Sequence, residues 1–288
     1  MLYEWNREYD KMFLALFLVR MKKMLKLLKR DGSMFNRYVD VLSNLPEYSK
    51  NVFRNNYFSW LLNQCKGWGK FSYGLLLFNF VLQVFSLLQS FSVAPTQSIL
   101  SFIGGNLSVA CVIGISNRSG IQGWAGALSA ICIASVGFMA GNYATAWEQI
   151  GYLIFLDIFC ILDPKWNDNI QAEKFENIKD WIYYILFFIV AWVVIYYIFS
   201  MTNDPRVFLD SLNLAMAITG SLLELNRKRE QYFVWTISSI FTIALWMQTM
   251  LQGDGNFALI FSYGVFFLND MYAFFSKRGW FQTTEQTK

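Results

Sequence analysis

Asp157 and Asp270 carry the chemistry that is hardest to place in an ordinary apolar segment. Each closes a seven-residue string opened by glycine: Gly151-Tyr152-Leu153-Ile154-Phe155-Leu156-Asp157 and Gly264-Val265-Phe266-Phe267-Leu268-Asn269-Asp270. Neither has a basic residue one helical turn away on its own segment. Paired, two such carboxyl groups could serve as acid and base, and they form the one enzyme-like constellation in the chain. Facing a water-lined path, they could instead hold a cation. The missing basic neighbours favour the water-lined position over a structural ion pair.

Other polar residues fall inside apolar runs, where they are functional candidates by default. They are Asn106, Ser108, Ser129, Ser135, Glu148 and Gln149 in one region, and Asp210, Asn213, Thr219, Glu224, Ser238, Ser239, Gln248, Ser262 and Asn269 in another. Gln149, Ser239 and Asn269 lie deep, roughly 9–13 Å from the nearer end of their segments at 1.5 Å per helical residue. A serine can bond to its own helix's carbonyls, and that is the simpler reading of Ser239. Asn and Gln are not satisfied so locally, so Gln149 and Asn269 are expected to bind a solute rather than only lock helices together. Asp210 and Glu224 lie within a turn of a segment end and are read as water-reaching caps. Trp124 and Trp235 each begin a segment. They could be interfacial belt residues or stacking surfaces for a flat ring, which a cationic aromatic solute would favour.

The segments that must hold these residues are long and apolar. Of 288 residues, 55% are hydrophobic and only 15% charged, against a globular norm of about 25%. This composition describes an all-α polytopic membrane protein. Eight spans are expected, at 72–91, 98–116, 121–140, 143–162, 181–201, 207–225, 231–250 and 256–275. Gly141-Asn142 and Gln252–Gly255 join two pairs by tight turns, and Pro95, Pro164 and Pro205 are placed in connections. Residues 1–70 differ in kind. Met12–Leu28 carries Arg20, Lys22, Lys23 and Lys26 and reads as a basic amphipathic helix on an anionic membrane surface. A further interfacial helix is expected around Tyr57–Leu62.

Lysines and arginines set the orientation. Loops on one side carry 13, 1, 3, 3 and 3 of them, and those on the other carry 0, 0, 1 and 0, which puts 23 of 24 on one face. Both termini are therefore expected in the cytosol of a multi-pass protein of the inner, or plasma, membrane.

An internal repeat organises the spans. Asn117-Arg118 precedes Trp124, as Asn226-Arg227 precedes Trp235, and the two Gly-to-Asp strings follow in the third span of each copy. Two three-span units sharing an orientation need an odd number of crossings between them. The expected plan is one extra amino-terminal span, 71–91, ahead of a 3+1+3 core. In it, bundle 98–162 and bundle 205–276 are parallel repeats, joined by 163–201 with its lipid-facing linker helix and followed by the tail 277–288.

Several activities are excluded. There is no histidine, which removes the commonest general base and metal ligand. Cys65, Cys111, Cys132 and Cys160 show no CxxC spacing, and the last three read as small packing residues. No GxxxxGK[ST] loop is present, so ATP-driven pumping by this chain is not expected. No cofactor, metal or nucleic-acid partner is expected. A membrane-embedded enzyme using the aspartates and a scaffold using residues 1–70 stay open on residues alone.

Leu209-Asp210-Ser211, Asn226-Arg227-Lys228-Arg229-Glu230, Trp235 and Phe267-Leu268-Asn269-Asp270-Met271-Tyr272-Ala273-Phe274 resemble the PnuC family over about residues 98–280. The resemblance implies a carrier related to the SWEET proteins that mostly imports nicotinamide riboside. It also implies a homotrimer, passive facilitated passage, and a cytosolic riboside kinase that makes uptake one-way. It gives substrate contact to Trp235, to a glutamine similar to Gln149, and to the string Asn269-Asp270-x-Tyr272. The family's asparagine four residues after the tryptophan is replaced here by Ser239. Relatives in the family carry thiamine or deoxynucleosides, so these vitamins and nucleosides stand as alternative solutes.

Overall fold

The computed structural model describes residues 34–141, 143–167, 170–201, 206–251, 253, 257–275, 280 and 281. The basic helix expected at Met12–Leu28, Pro205, most of the Gln252–Gly255 turn and the charged tail lie outside these residues.

Eight helices among the described residues are long and apolar enough to cross a membrane: Lys70–Ser90, Pro95–Ser116, Ile121–Met139, Thr145–Leu162, Ile178–Ser200, Val207–Leu225, Gln231–Leu251 and Phe257–Phe275. These first to eighth spans match the expected ones with ends shifted by a few residues. Pro95 departs from its expected place in a connection. It opens the second span, where its missing N–H would have had no helical partner and its fixed φ suits the first turn.

Backbone hydrogen bonds can be met only within helices once the chain is in lipid, and side-chain character then decides which helix is central. The fifth span is 11% buried and the sixth 72%. The fifth offers only Tyr184 and Ile195 to the interior. The sixth presents small and polar residues, from Ser211 through Ala217 to Glu224, to neighbours on several sides. The fifth span is thus peripheral and leans on the sixth.

Two turns have the same geometry. Asn117 and Asn226 end the second and sixth spans, and Arg118 and Arg227 follow, each at φ +54°. Asn117 Nδ2 donates to the Ile113 carbonyl at 2.8 Å and Asn226 Nδ2 to the Leu222 carbonyl at 2.7 Å. Ser119 N and Lys228 N then reach back to Gly114 O and Leu223 O at 2.8 and 2.9 Å.

One end of the bundle gathers most of the described basic residues. Three short helices dock there: α1 (Asn36–Ser43), α2 (Leu45–Val52) and α3 (Tyr57–Asn63). Arg37 of α1 pairs with Asp163, and Tyr38 packs edge-on against Phe159 at 4.8 Å. After α3, the Gln64 carbonyl accepts from Ser119 Oγ at 2.7 Å. Glu173, between the fourth and fifth spans, exchanges backbone hydrogen bonds with Arg227 and Arg229 at 2.8 Å and accepts from the Arg227 and Lys228 side chains. The segment expected to be interfacial is helical, and it is packed onto the bundle. The first span is held to the core by polar side chains that the span-by-span reading passed over. Gln83 Nε2 donates to Ala258 O at 2.7 Å and Ser262 Oγ at 2.9 Å, and Asn79 Nδ2 to Gly105 O at 3.3 Å.

Candidate functional site

A cavity opens among the second, third, fourth, sixth, seventh and eighth spans. Its volume is about 120 Å³, several times what one water needs. No residue of the first or fifth span lines it. At the basic end its lining residues Ile115, Leu156 and Tyr232 belong to one apolar cluster with Trp166 and Trp280. Trp280 Nε1 donates to Ile115 O at 2.8 Å, and its ring lies 6.1 Å from that of Tyr232.

Two local departures from regular helix packing shape the walls. The fourth span turns π-helical at Leu153–Asp157 before resuming as Ile158–Leu162. Such a turn rotates the residues that follow it, and π segments occur often at functional sites. Here it brings both Leu156 and Asp157 to the wall. Gly126, on the facing third span, leaves the room this needs: a Cβ there would overlap Asp157 Oδ1 and lie 2.9 Å from its Cγ. Gly220 does the same for Trp235, since a Cβ on it would lie 2.5 Å from the indole ring.

Four carboxyl side chains line the space: Glu148, Asp157, Glu224 and Asp270. Tyr152 Oη donates to Glu148 Oε1 at 3.1 Å, and Ser239 Oγ to Asp270 Oδ2 at 3.2 Å. Neither oxygen of Glu224 accepts a hydrogen bond, nor does Asp157 Oδ2. Trp235 Nε1 lies near the Glu224 carboxyl but donates to Gln231 Oε1 at 3.3 Å. No lysine or arginine is among the lining residues. An apolar cavity with acidic groups, hydroxyls and aromatic rings and no resident cation suits a small cationic ring compound.

Gln149, Asp157, Trp235, Ser239 and Asp270 therefore line one space. Ser239 is spoken for by Asp270 instead of its own helix. Trp124, Asn269 and Tyr272 stand outside the cavity. Trp124 Nε1 donates to Tyr57 Oη of α3 at 2.8 Å. Asn269 locks the eighth span to the second, accepting from Ser116 Oγ at 2.9 Å and donating to Val112 O at 3.1 Å. Tyr272 stacks on Phe71 of the first span, ring centres 4.3 Å apart.

The two residues read as water-reaching caps are corrected. Glu224 is 0% exposed and Asp210 2%, because α1, Tyr232 and the Trp166–Trp280 cluster cover one end and Arg206, 3.6 Å from Asp210, seals the other. Sequence depth counts residues from a span end and misses such covers. Tyr152, Tyr232 and Thr242 are further wall residues that sequence reasoning did not single out. Cys111, read as packing, also lines the cavity. No group of three or more His, Cys, Asp or Glu among the described residues is arranged to hold a metal ion.

Comparison with known proteins gives one consistent answer. Residues 98–281 match the model of the nicotinamide mononucleotide transporter family. The nicotinamide riboside transporter PnuC of Haemophilus influenzae is 22% identical over 218 residues, covering 73% of this chain and 90% of that protein. The crystal structure of the vitamin B3 transporter PnuC superposes with a TM-score of 0.64 at 18% identity, over 76% of this chain and 94% of that one. The matched region contains the six spans around the cavity and the peripheral fifth span. This chain belongs to the nicotinamide mononucleotide transporter family.

Proposed function

We propose that this protein carries nicotinamide riboside across the membrane through the cavity between the second and eighth spans. The observation that carries this reading is the wall itself: Trp235 and Tyr152 beside the carboxyl groups of Asp157, Glu224 and Asp270, with no cation facing them. The riboside's nicotinamide ring is a pyridinium, flat and positively charged. A cation over or beside aromatic faces in a dehydrated site gains about 0.5–2 kcal/mol from each good contact, and a carboxylate adds direct attraction. Gln149 and Ser239 offer hydrogen bonds to the ribose or the carboxamide.

Thiamine is the second reading, and a specific residue favours it. Ser239 replaces the asparagine that the resemblance leads one to expect, and thiamine's thiazolium also carries a positive charge. Neutral deoxynucleosides suit this acidic wall less well.

The charge asymmetry of the loops supports cytosolic termini and an inner-membrane location. The matched Asn-Arg turns and Gly-to-Asp strings support two parallel three-span repeats, 98–162 and 205–276, joined by 163–201, with 1–70 and 277–288 cytosolic. A cytosolic kinase acting on the riboside would keep its inward gradient, and assembly as a homotrimer would follow the family resemblance.

Uptake of labelled riboside into proteoliposomes tests the reading. Saturable uptake that falls at least tenfold in Trp235→Ala, at equal protein incorporation, is the expected result. Equal uptake by wild type and empty vesicles would overturn it.

A further inference from the structure

The cations at the basic end differ in how they are matched. Arg37 pairs with Asp163 and Asp40, Arg227 and Lys228 with Glu173, and Arg229 with Glu230. A pocket of about 230 Å³, where the chain leaving α3 meets the turn between the second and third spans, is different. Lys66 and Arg118 line it with Asn63, Asn117 and Ser119, and no aspartate or glutamate does. Lys66 Nζ donates to Asn63 Oδ1 at 2.8 Å, and Arg118 lies over the Trp280 ring at 5.7 Å. Both of these contacts are to uncharged groups. Trp68 also lines the pocket. It is 9% exposed, and its indole Nε1 meets no acceptor among the described residues. Burying an N–H without an acceptor is costly. Two cations beside such a donor make a surrounding that a phosphate oxyanion satisfies, through charge-assisted hydrogen bonds.

The fold fixes these walls. Gln64 accepts from Ser119 Oγ at 2.7 Å through its carbonyl, and from Gly120 N at 3.2 Å through its side chain. Asn117 Nδ2 reaches Ser72 Oγ of the first span at 3.0 Å. Left-handed turns at Gly67, φ +79°, and Arg118, φ +54°, stand on either side.

An apolar groove continues from the pocket. Tyr73 stacks on Trp68, ring centres 6.0 Å apart, and its Oη donates to the Cys65 carbonyl at 2.8 Å. Tyr73 opens a groove between the first and second spans, walled by Leu77 and Phe80 on one side and by Phe102, Ile103 and Leu107 on the other. Tyr73 to Phe80 is about 10 Å of helix at 1.5 Å per residue. Asn106 lies in the groove, but its amide is satisfied by the Phe102 carbonyl and by Asn79. A groove of this kind alone accepts any lipid tail, and a basic pocket alone accepts any small anion. Joined, they fit a molecule with a phosphate at one end and a hydrocarbon chain at the other.

We propose that the pocket and groove together hold one anionic phospholipid from the leaflet at the basic end, its phosphate between Lys66, Arg118 and Trp68 and an acyl chain along Tyr73, Leu77 and Phe80. Phe58 and Leu62, one turn apart on α3 and both exposed, place this helix at the lipid surface beside the pocket. Cytoplasmic leaflets are rich in anionic lipid and draw basic side chains to them. The lipid would fasten the first span, which lies outside the matched residues 98–281, to the second.

The test is titration of the delipidated, detergent-purified full chain with phosphatidylglycerol, with phosphatidylethanolamine of the same acyl chains, and with glycerol phosphate, bound molecules being counted by native mass spectrometry. One phosphatidylglycerol per chain is expected, held about fivefold or more tighter than the zwitterionic lipid, the scale of one basic side chain at an anionic surface. Glycerol phosphate is expected not to be retained. Lys66→Glu, at an exposed side chain, should remove the preference, and Trp68→Phe should weaken it about threefold, the scale of one hydrogen bond. Lys174→Glu, an exposed cation elsewhere at the same end, should leave it intact. Thermal unfolding without lipid checks that each variant is folded. Equal retention of the two lipids would overturn the proposal. So would glycerol phosphate bound as tightly as the lipid, which would mark a site for a free phosphate, or an equal loss in Lys174→Glu and Lys66→Glu, which would mark diffuse charge.

Discussion

Ser239 Oγ donates a hydrogen bond to Asp270 Oδ2 at 3.2 Å, joining the seventh span to the eighth at the cavity wall. The serine thus orients one carboxyl oxygen and leaves the other free for a solute. Net contributions of single hydrogen bonds are near 1 kcal/mol, somewhat more to a charged group. Ser239→Ala is therefore expected to weaken riboside binding roughly threefold to tenfold with little change in thermal stability. Ser239→Asn, measured against riboside and thiamine together, is expected to shift preference towards riboside. Titration calorimetry on both variants checks this.

Gly220 is the second lever on the same site. The Trp235 ring occupies the space where a Cβ of residue 220 would sit, 2.5 Å away at the nearest ring atom. Gly220→Ala must therefore push the indole from the wall. Riboside affinity is expected to fall about as far as in Trp235→Ala, and the double variant to lose little more, because coupled residues do not add. Additive losses in a double-mutant cycle would separate the two residues.

Gly126 makes the corresponding room for Asp157. Gly126→Ala is expected to displace that carboxyl and to discriminate by charge. Affinity for cationic riboside should drop at least fivefold, while any weak binding of a neutral analogue should change less. Comparing the two ligands on the same purified variant reads this directly.

Asn269 and Arg37 are expected to report on stability. Asn269 holds the second and eighth spans by two hydrogen bonds and does not reach the cavity. Hydrogen bonds between membrane helices are worth about 0.6–1.7 kcal/mol each. Asn269→Ala should lower the melting temperature by a few degrees and change riboside affinity less than Trp235→Ala does. Arg37→Ala removes the partner of Asp163, whose side chain is 0% exposed. Loss of one member of a buried pair costs about 3–5 kcal/mol, so a larger drop is expected. Thermal unfolding followed by tryptophan fluorescence ranks the two.

The spans were legible because lipid imposes a length and an apolar composition on each one, and all eight lie within a few residues of their expected ends. The acidic pair was legible because Asp157 and Asp270 close matching strings and lack basic neighbours. What failed was one-dimensional depth and assumed symmetry. Glu224 is near a span end in sequence, yet Tyr232 and the Trp166–Trp280 cluster bury it. Asn269 and Asp270 are adjacent, so they point about 100° apart on a helix of 3.6 residues per turn, and only Asp270 meets the cavity. Trp124 and Trp235 are equivalent in the sequence pattern. Tyr57, from the amino-terminal helices outside the repeat, takes the first for a hydrogen bond and leaves the second to the cavity. Contacts made by segments outside a repeat cannot be read from the repeat.

The most direct measurement is binding of nicotinamide riboside to the detergent-purified protein, set beside its reduced dihydropyridine form. The two share nearly every atom, but the reduced ring carries no positive charge. Saturable binding of the riboside, with the neutral form at least tenfold weaker, is the predicted result. Equal binding of both forms, or binding of neither, would contradict a cavity built to take a cationic ring.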